Sequence, residues 1–217
     1  MKMPKLVIFD MDGLIFDTER LFMRELTKVM EKYGYKLTEE IYIRLLGLSD
    51  KALMDKMTEA YGRDYPFEEI SKITRENVTK CAENGDLTIK SGIPELLEFL
   101  KGEGIPCTVA SSTASEYVEK YLRIAGIDGF FSDITGGDCV KRSKPYPDVF
   151  EKAREKFGVN ASEALIMEDS ENGITAAHRA GIPVVCVPDM KYPSEEHLAM
   201  TSLCIDSADK LIAYLKN

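Results

Sequence analysis

The stretch Lys5-Leu6-Val7-Ile8-Phe9-Asp10-Met11-Asp12-Gly13 decides the fold. Four consecutive apolar residues run straight into two carboxylates and a glycine. The run is too short for a membrane span or for the apolar core of a signal peptide. It reads as a buried strand, and strand alternation places the Asp10 and Asp12 side chains on the same side. Gly13 then permits a tight reversal of the chain. Three more segments carry chemistry at strand ends or in loops beside them. Ser111-Ser112 follows Cys107-Thr108-Val109-Ala110, Glu168-Asp169 follows Ala164-Leu165-Ile166-Met167, and Lys144-Pro145 precedes a helix.

Between the first of these segments and the rest, the pattern is helical. From about Glu19 to Glu83, apolar residues recur at three- and four-residue spacing, as in Phe22, Leu26, Val29, Met30 and Tyr33. Gly34, Gly47 with Ser49, and Gly62 with Pro66 divide the region into roughly four helices, with no convincing strand. Beyond Gly85, strands at 107–110, 130–134, 164–167 and 184–187 alternate with helices at 94–101, 116–124, 149–157, 174–180 and 210–215. Alternation of this kind implies parallel pairing through helical crossovers, and continuous apolar strands suit a sheet covered on both faces. The expected fold is α/β, a doubly wound, Rossmann-like parallel sheet from residues 1–17 and 87–217, with an inserted all-helical domain at 18–86. In open parallel sheets, ligands bind beyond the carboxyl ends of the strands. All four segments fall there or in the loops leaving those ends.

The chain has 217 residues, 44% of them hydrophobic, enough for a sizeable core. The net charge of −9 and the lack of a dense basic run exclude a nucleic-acid binder, because phosphate backbones are held by clustered Lys and Arg. Cys81, Cys107, Cys139, Cys186 and Cys204 form no C-x-x-C pair, and His178 and His197 complete no zinc spacing. The cysteines read as free, mostly buried thiols in a reducing cytoplasm.

Each segment has a bland reading beside its chemical one. Asp10 and Asp12 suit a nucleophile beside a proton-shuttling carboxyl, yet Asp and Gly also favour simple turns. Adjacent carboxylates at Glu168-Asp169 invite a divalent cation, while Asp169 or Ser170 equally suits a helix N-cap. Ser111-Ser112-Thr113 at a helix start offers a phosphate cradle or an ordinary cap. Lys144 offers a fixed cation or a solvated basic loop, with Pro147 at the first helical position behind it. Order, spacing and strand-end placement together favour a magnesium-dependent phosphoryl-transfer site.

These segments resemble the motifs of the haloacid dehalogenase superfamily. They run as Ile8-Phe9-Asp10-Met11-Asp12-Gly13, Val109-Ala110-Ser111-Ser112, Lys144-Pro145-Tyr146-Pro147-Asp148 and Ile166-Met167-Glu168-Asp169-Ser170-Glu171-Asn172-Gly173. The likeness extends over almost the whole chain and is closest to the β-phosphoglucomutase-like branch, which carries a helical cap. The resemblance implies Asp10 as nucleophile, Asp12 as general acid/base, and Ser111, Ser112 and Lys144 on phosphate. It further implies Mg2+ held by Asp10, the Asp12 carbonyl, Glu168 and Asp169.

The mutases of that branch carry a cap histidine where this chain has Phe22, and a cap-loop Arg where it has Asp50 after Gly47-Leu48-Ser49. Asp50 would repel a second phosphate, and Asp17-Thr18-Glu19 is closer to the phosphatases. The expected activity is therefore hydrolysis of a small phosphorylated metabolite, with a phosphosugar mutase as the rival. Glu19, Arg20, Phe22, Met23 and residues 47–51 are expected to set substrate choice in a cap that closes over the site. A phospho-accepting receiver module is excluded by chain length and by a lysine that precedes the second acidic pair. An inactive binding protein fits poorly with the intact acidic set. The expected protein is a monomer with no membrane partner.

Overall fold

The computed structural model describes residues 1–46, 48 and 50–216, with the side chains of residues 50–52 outside the description. Among the described residues, six strands form one parallel sheet. They are β1 (Leu6–Phe9), β2 (Cys107–Ala110), β3 (Phe131–Thr135), β4 (Ala164–Glu168), β5 (Val184–Cys186) and β6 (Leu203–Cys204). The spatial order is β3-β2-β1-β4-β5-β6. The chain moves outward on one side of β1 through β2 and β3, then crosses back to β4 on the other side. The order thus reverses between β1 and β4, where Phe9 lies beside Met167 in the register. Such a reversal opens a crevice at the strands' carboxyl ends.

The sheet is covered on both faces, as its apolar strands require. Every residue of β1, β2, β4 and β5 is buried. Leu6, Ile8, Ile166 and Val184 share one core with Val149, Phe150 and Ala153 of α7 (Asp148–Glu155) and Ile174 and Ala177 of α8 (Glu171–Arg179). Full burial of one such side chain contributes roughly 1.5–3 kcal/mol. The outer strands β3 and β6 are only partly buried, which is how short edge strands are tolerated.

The remaining helices are α1 (Thr18–Lys32), α2 (Glu39–Leu45), α3 (Asp50–Tyr61), α4 (Phe67–Cys81), α5 (Ile93–Gly102), α6 (Ser115–Ile124), α9 (Glu195–Leu198) and α10 (Leu211–Lys216). Met1–Asp17 with Thr88–Asn217 make one compact unit and Thr18–Leu87 another. The second contains helices and, among the described residues, no strand. Within it α1 packs against α4, burying Leu21, Leu26, Val29 and Met30 from one and Ile70, Thr74 and Val78 from the other. Thr38 caps α2 by accepting from the Ile41 N–H at 3.3 Å.

Two expectations shift. Pro147 precedes the first helical residue of α7 instead of occupying it. Of the five free cysteines only Cys107 and Cys186 are buried, because Cys81 ends α4, Cys139 ends a short 3-10 turn after β3 and Cys204 sits on the edge strand β6.

Candidate active site

Asp10 is the first residue beyond β1 and Glu168 the last of β4, and the pairing of these two strands brings them together. Asp10 is 5% exposed and Glu168 fully buried. Lys144 reaches both from the loop before α7, donating to Asp10 Oδ1 at 2.5 Å and to Glu168 Oε1 at 2.7 Å. Its ammonium also lies over the buried Phe150 ring, 4.7 Å from the centroid. One face of Lys144 is therefore apolar and the other is held by two carboxylates, which fixes the side chain in direction.

Glu168 is held from four directions. Its Oε2 accepts from the Asp169 and Ser170 N–H groups at 2.8 Å each and from the Ser170 hydroxyl at 3.0 Å, while Oε1 faces Lys144. Ser170 also caps α8, accepting from the Gly173 N–H at 3.1 Å. The capping role and the acidic-pair role thus coexist, taken by neighbouring residues. Gly173 makes room for this: a Cβ there would fall 1.8 Å from the Glu168 carboxyl. At Gly13 (φ +79°), a Cβ would meet Asp169 Oδ2 at 2.3 Å, so the turn needs glycine both for its backbone and for the approach of Asp169.

Asp12 faces a different neighbour. Its Oδ2 accepts from the Thr113 hydroxyl at 2.7 Å and from the Ser111 hydroxyl at 3.3 Å. Ser111 in turn accepts from the Thr113 N–H at 3.0 Å, so the turn after β2 is braced internally. Ser112, expected beside Ser111 on phosphate, carries an exposed side chain, and Thr113 occupies the position facing Asp12. Thr113 was legible only as part of a hydroxyl-rich turn; the two-residue repeat from Ser111 was its one signal.

Burial pushes the Asp10 carboxyl up to about 8, with Glu168 and Asp12 adding to the rise and Lys144 opposing it. Burial works against the Lys144 charge, yet Asp10 and Glu168 together hold it above the ordinary lysine range. One ammonium is therefore insufficient for the carboxylates around it. Asp10, Glu168 and Asp169 each present an oxygen within 4.8 Å of the others. An all-carboxylate donor set with surplus negative charge fits a hard divalent cation of the magnesium type and does not fit a soft metal. The Asp12 carboxylate is outside that group.

The residues expected to choose substrate lie in the helical unit. Glu19 accepts from the Tyr42 hydroxyl at 2.6 Å, and Phe22 is partly buried on α1. Gly47, Ser49 and the side chain of Asp50 fall outside the described residues.

Comparison with known proteins identifies the family of this fold. The haloacid dehalogenase-like hydrolase family matches residues 7–187. A probable pseudouridine-5'-phosphatase of Drosophila melanogaster is 35% identical over 93% of this chain and 89% of its own length. A phosphorylated carbohydrates phosphatase of Thermotoga maritima is 32% identical over 81% of each chain. The crystal structure of CbbY from Rhodobacter sphaeroides, solved with phosphate, superposes with a TM-score of 0.84 at 27% identity, covering 99% of this chain and 100% of that one. With the family's span reaching from the first strand to the fifth and relatives that are phosphatases by name, the chain belongs to the haloacid dehalogenase-like hydrolases.

Proposed function

We propose that this protein is a magnesium-dependent phosphatase acting on a small phosphorylated metabolite through a phosphorylated Asp10. The carrying observation is the buried Asp10–Lys144–Glu168 arrangement with Asp169 beside it, at the reversal point of the sheet. Asp10 supplies the nucleophilic oxygen. Its attack on phosphorus breaks the bond to the ester oxygen, and Asp12 delivers a proton to that leaving oxygen. Asp12, now ionised, takes a proton from water as the water attacks the phosphorus of the acyl phosphate. Inorganic phosphate departs and Asp10 is restored. Lys144 and the Ser111 turn hold the equatorial oxygens and offset their charge.

Asp10, Glu168 and Asp169, with the Asp12 carbonyl as a further donor, would hold Mg2+. When bound, the ion supplies charge neutralisation between the carboxylates and the incoming phosphate. In this reading the helical unit is the family's cap, with Glu19 and Phe22 among its specificity residues. The two relatives, a probable pseudouridine-5'-phosphatase and a phosphorylated carbohydrates phosphatase, favour small phosphorylated substrates.

The test is phosphate release from a panel of sugar phosphates and nucleoside monophosphates with Mg2+, alongside glucose 1-phosphate isomerisation. Asp10→Asn should lose turnover by a factor of at least about 10³ with its circular dichroism unchanged. Full turnover in that variant contradicts the covalent route. Conversion of glucose 1-phosphate to glucose 6-phosphate without phosphate release would instead make the enzyme a mutase.

A further inference from the structure

A second ion pair, Lys90 with Asp189, stands behind the acidic cluster and is used by no step above. Lys90 lies before α5, and Asp189 follows β5 at the same edge of the sheet that carries Asp10 and Glu168. The Asp189 side chain is 3% exposed and that of Lys90 20%, so the pair is largely shielded from solvent screening. Its position is given by Gly13. The point where a Gly13 Cβ would stand is 2.3 Å from Asp169 Oδ2 and 3.4 Å from Asp189 Oδ2, so both carboxylates crowd the same turn. Lys90 is tied to that turn as well, because its N–H donates to the Ile15 carbonyl at 2.8 Å. The Gly13 N–H donates to the Phe16 carbonyl at 2.9 Å, closing the loop between them.

Three strand ends therefore meet at this pair: the loop after β1, Asp169 after β4, and Asp189 after β5. A buried carboxylate next to Asp169 adds negative potential where a divalent cation would sit. The partly exposed ammonium paired with it offsets that potential. We infer that Lys90 and Asp189 are a positioning pair that balances charge behind Asp169 and so sets how tightly the acidic cluster holds Mg2+. This rests on the metal-dependent reading above. A pair that merely pinned loops together would weaken metal binding when either partner was removed. A charge-balancing pair responds with opposite signs.

The experiment is calorimetric titration of MgCl2 into metal-free protein, with no substrate present and folding checked by thermal melts. Asp189→Asn leaves the ammonium without its counterion and should weaken Mg2+ binding about tenfold or more. Lys90→Met leaves the carboxylate uncompensated and should bind Mg2+ at least as tightly as the unaltered protein. The double variant, and Lys90→Arg, should each return to within about twofold of it. Equal weakening by both single changes, or no change with Asp189→Asn, overturns the inference. Should Asp189→Asn fail to fold, weaker binding by Lys90→Met alone overturns it. Absence of Mg2+ binding by the unaltered protein removes the metal-dependent reading and this pair with it, whereas normal binding with unshifted variants removes the pair alone.

Discussion

Glu168 shows how far one side chain can be constrained before any ligand arrives. Both of its oxygens are occupied by donors, one by Lys144 and the other by two backbone N–H groups and a hydroxyl. Placed at the start of α8, it also gains from the exposed N–H groups there. It thus orients Lys144, and in the proposed function would also be a donor to the cation, a double duty that an acidic pair in a sequence does not reveal. Gly173 is what permits it. Gly173→Ala would drive a methyl into the carboxyl group, so the variant should lose about 1–3 kcal/mol of stability and most of its phosphatase activity. Denaturant titration and phosphate release read the two losses. A stable, fully active Gly173→Ala protein would show that Glu168 can sit elsewhere. Replacement of Ser112 should cost little by comparison, since its side chain points to solvent.

Among the elements, α1 carries a buried charge on its packed face. Glu25 is 4% exposed and receives Lys28 at 2.7 Å and Arg24 at 2.9 Å. Burial alone would raise its titration point, but the hydrogen bonds from Lys28 and Arg24 outweigh it and hold the carboxyl below its usual range. A depressed carboxyl stabilises the fold above its unfolded value of about 4.3, and that contribution fades as pH drops through the folded value. Because both cations are half-exposed, the effect is about 1 kcal/mol. Glu25→Gln should therefore be less stable than the parent at pH 7 and converge with it at an acid pH below the lowered folded value. Paired denaturant melts at the two pH values check this, and a gap that persisted at acid pH would assign the loss to packing.

The elements also mark where sequence reading works and where it stops. Strands β1, β2, β4 and β5 were legible because burial on both faces makes them unbroken apolar runs. Strand β3 gave a weaker signal, as its half-exposed edge position predicts. Strand β6, two residues long, and α9, four, are too short to carry any periodicity and passed unread. The helical insertion was visible from its three- and four-residue rhythm, but rhythm says nothing about which residues of different helices meet. Tyr35, Tyr61 and Tyr65, whose ring centroids are 5.0 to 5.5 Å apart, form a cluster that only the fold discloses.

Across the whole molecule, the site is a product of topology. Asp10 and Glu168 are distant in sequence, and it is the β1–β4 pairing that joins them. The strand-end rule singled out Asp10, Ser111 and Glu168 as candidates, with Lys144 in a loop before a helix, and the structure places the Lys144 ammonium against Asp10 and Glu168. Applied to the end of β5, the same rule would also have flagged Asp189. What it could not supply was the long-range partner, Lys90, or the fact that Thr113 and not Ser112 faces Asp12.

The same convergence predicts a global response to metal. A cation that binds only the folded cluster stabilises the fold by about 2.7 kcal/mol at a hundredfold excess over Kd. For a chain of 217 residues that corresponds to a rise in Tm of roughly 5–10 °C. Calorimetric scans with and without MgCl2 measure it. Asp169→Asn should lose most of the rise, and an identical rise in that variant would place the metal elsewhere.

The most direct measurement follows the oxygen of water. A single turnover of p-nitrophenyl phosphate in oxygen-18 water, with enzyme in excess and Mg2+ present, is followed by proteolysis and mass analysis. If the acyl phosphate is cleaved at phosphorus, as in the mechanism above, the first phosphate released carries one heavy oxygen and Asp10 remains light. Quenching before completion should then trap a phosphate mass on the peptide containing Asp10 and on no other. Labelled phosphate with no phosphorylated peptide at any quench time, at a turnover unaffected by Asp10→Asn, would mean that water attacks the substrate directly and that Asp10 is not the nucleophile.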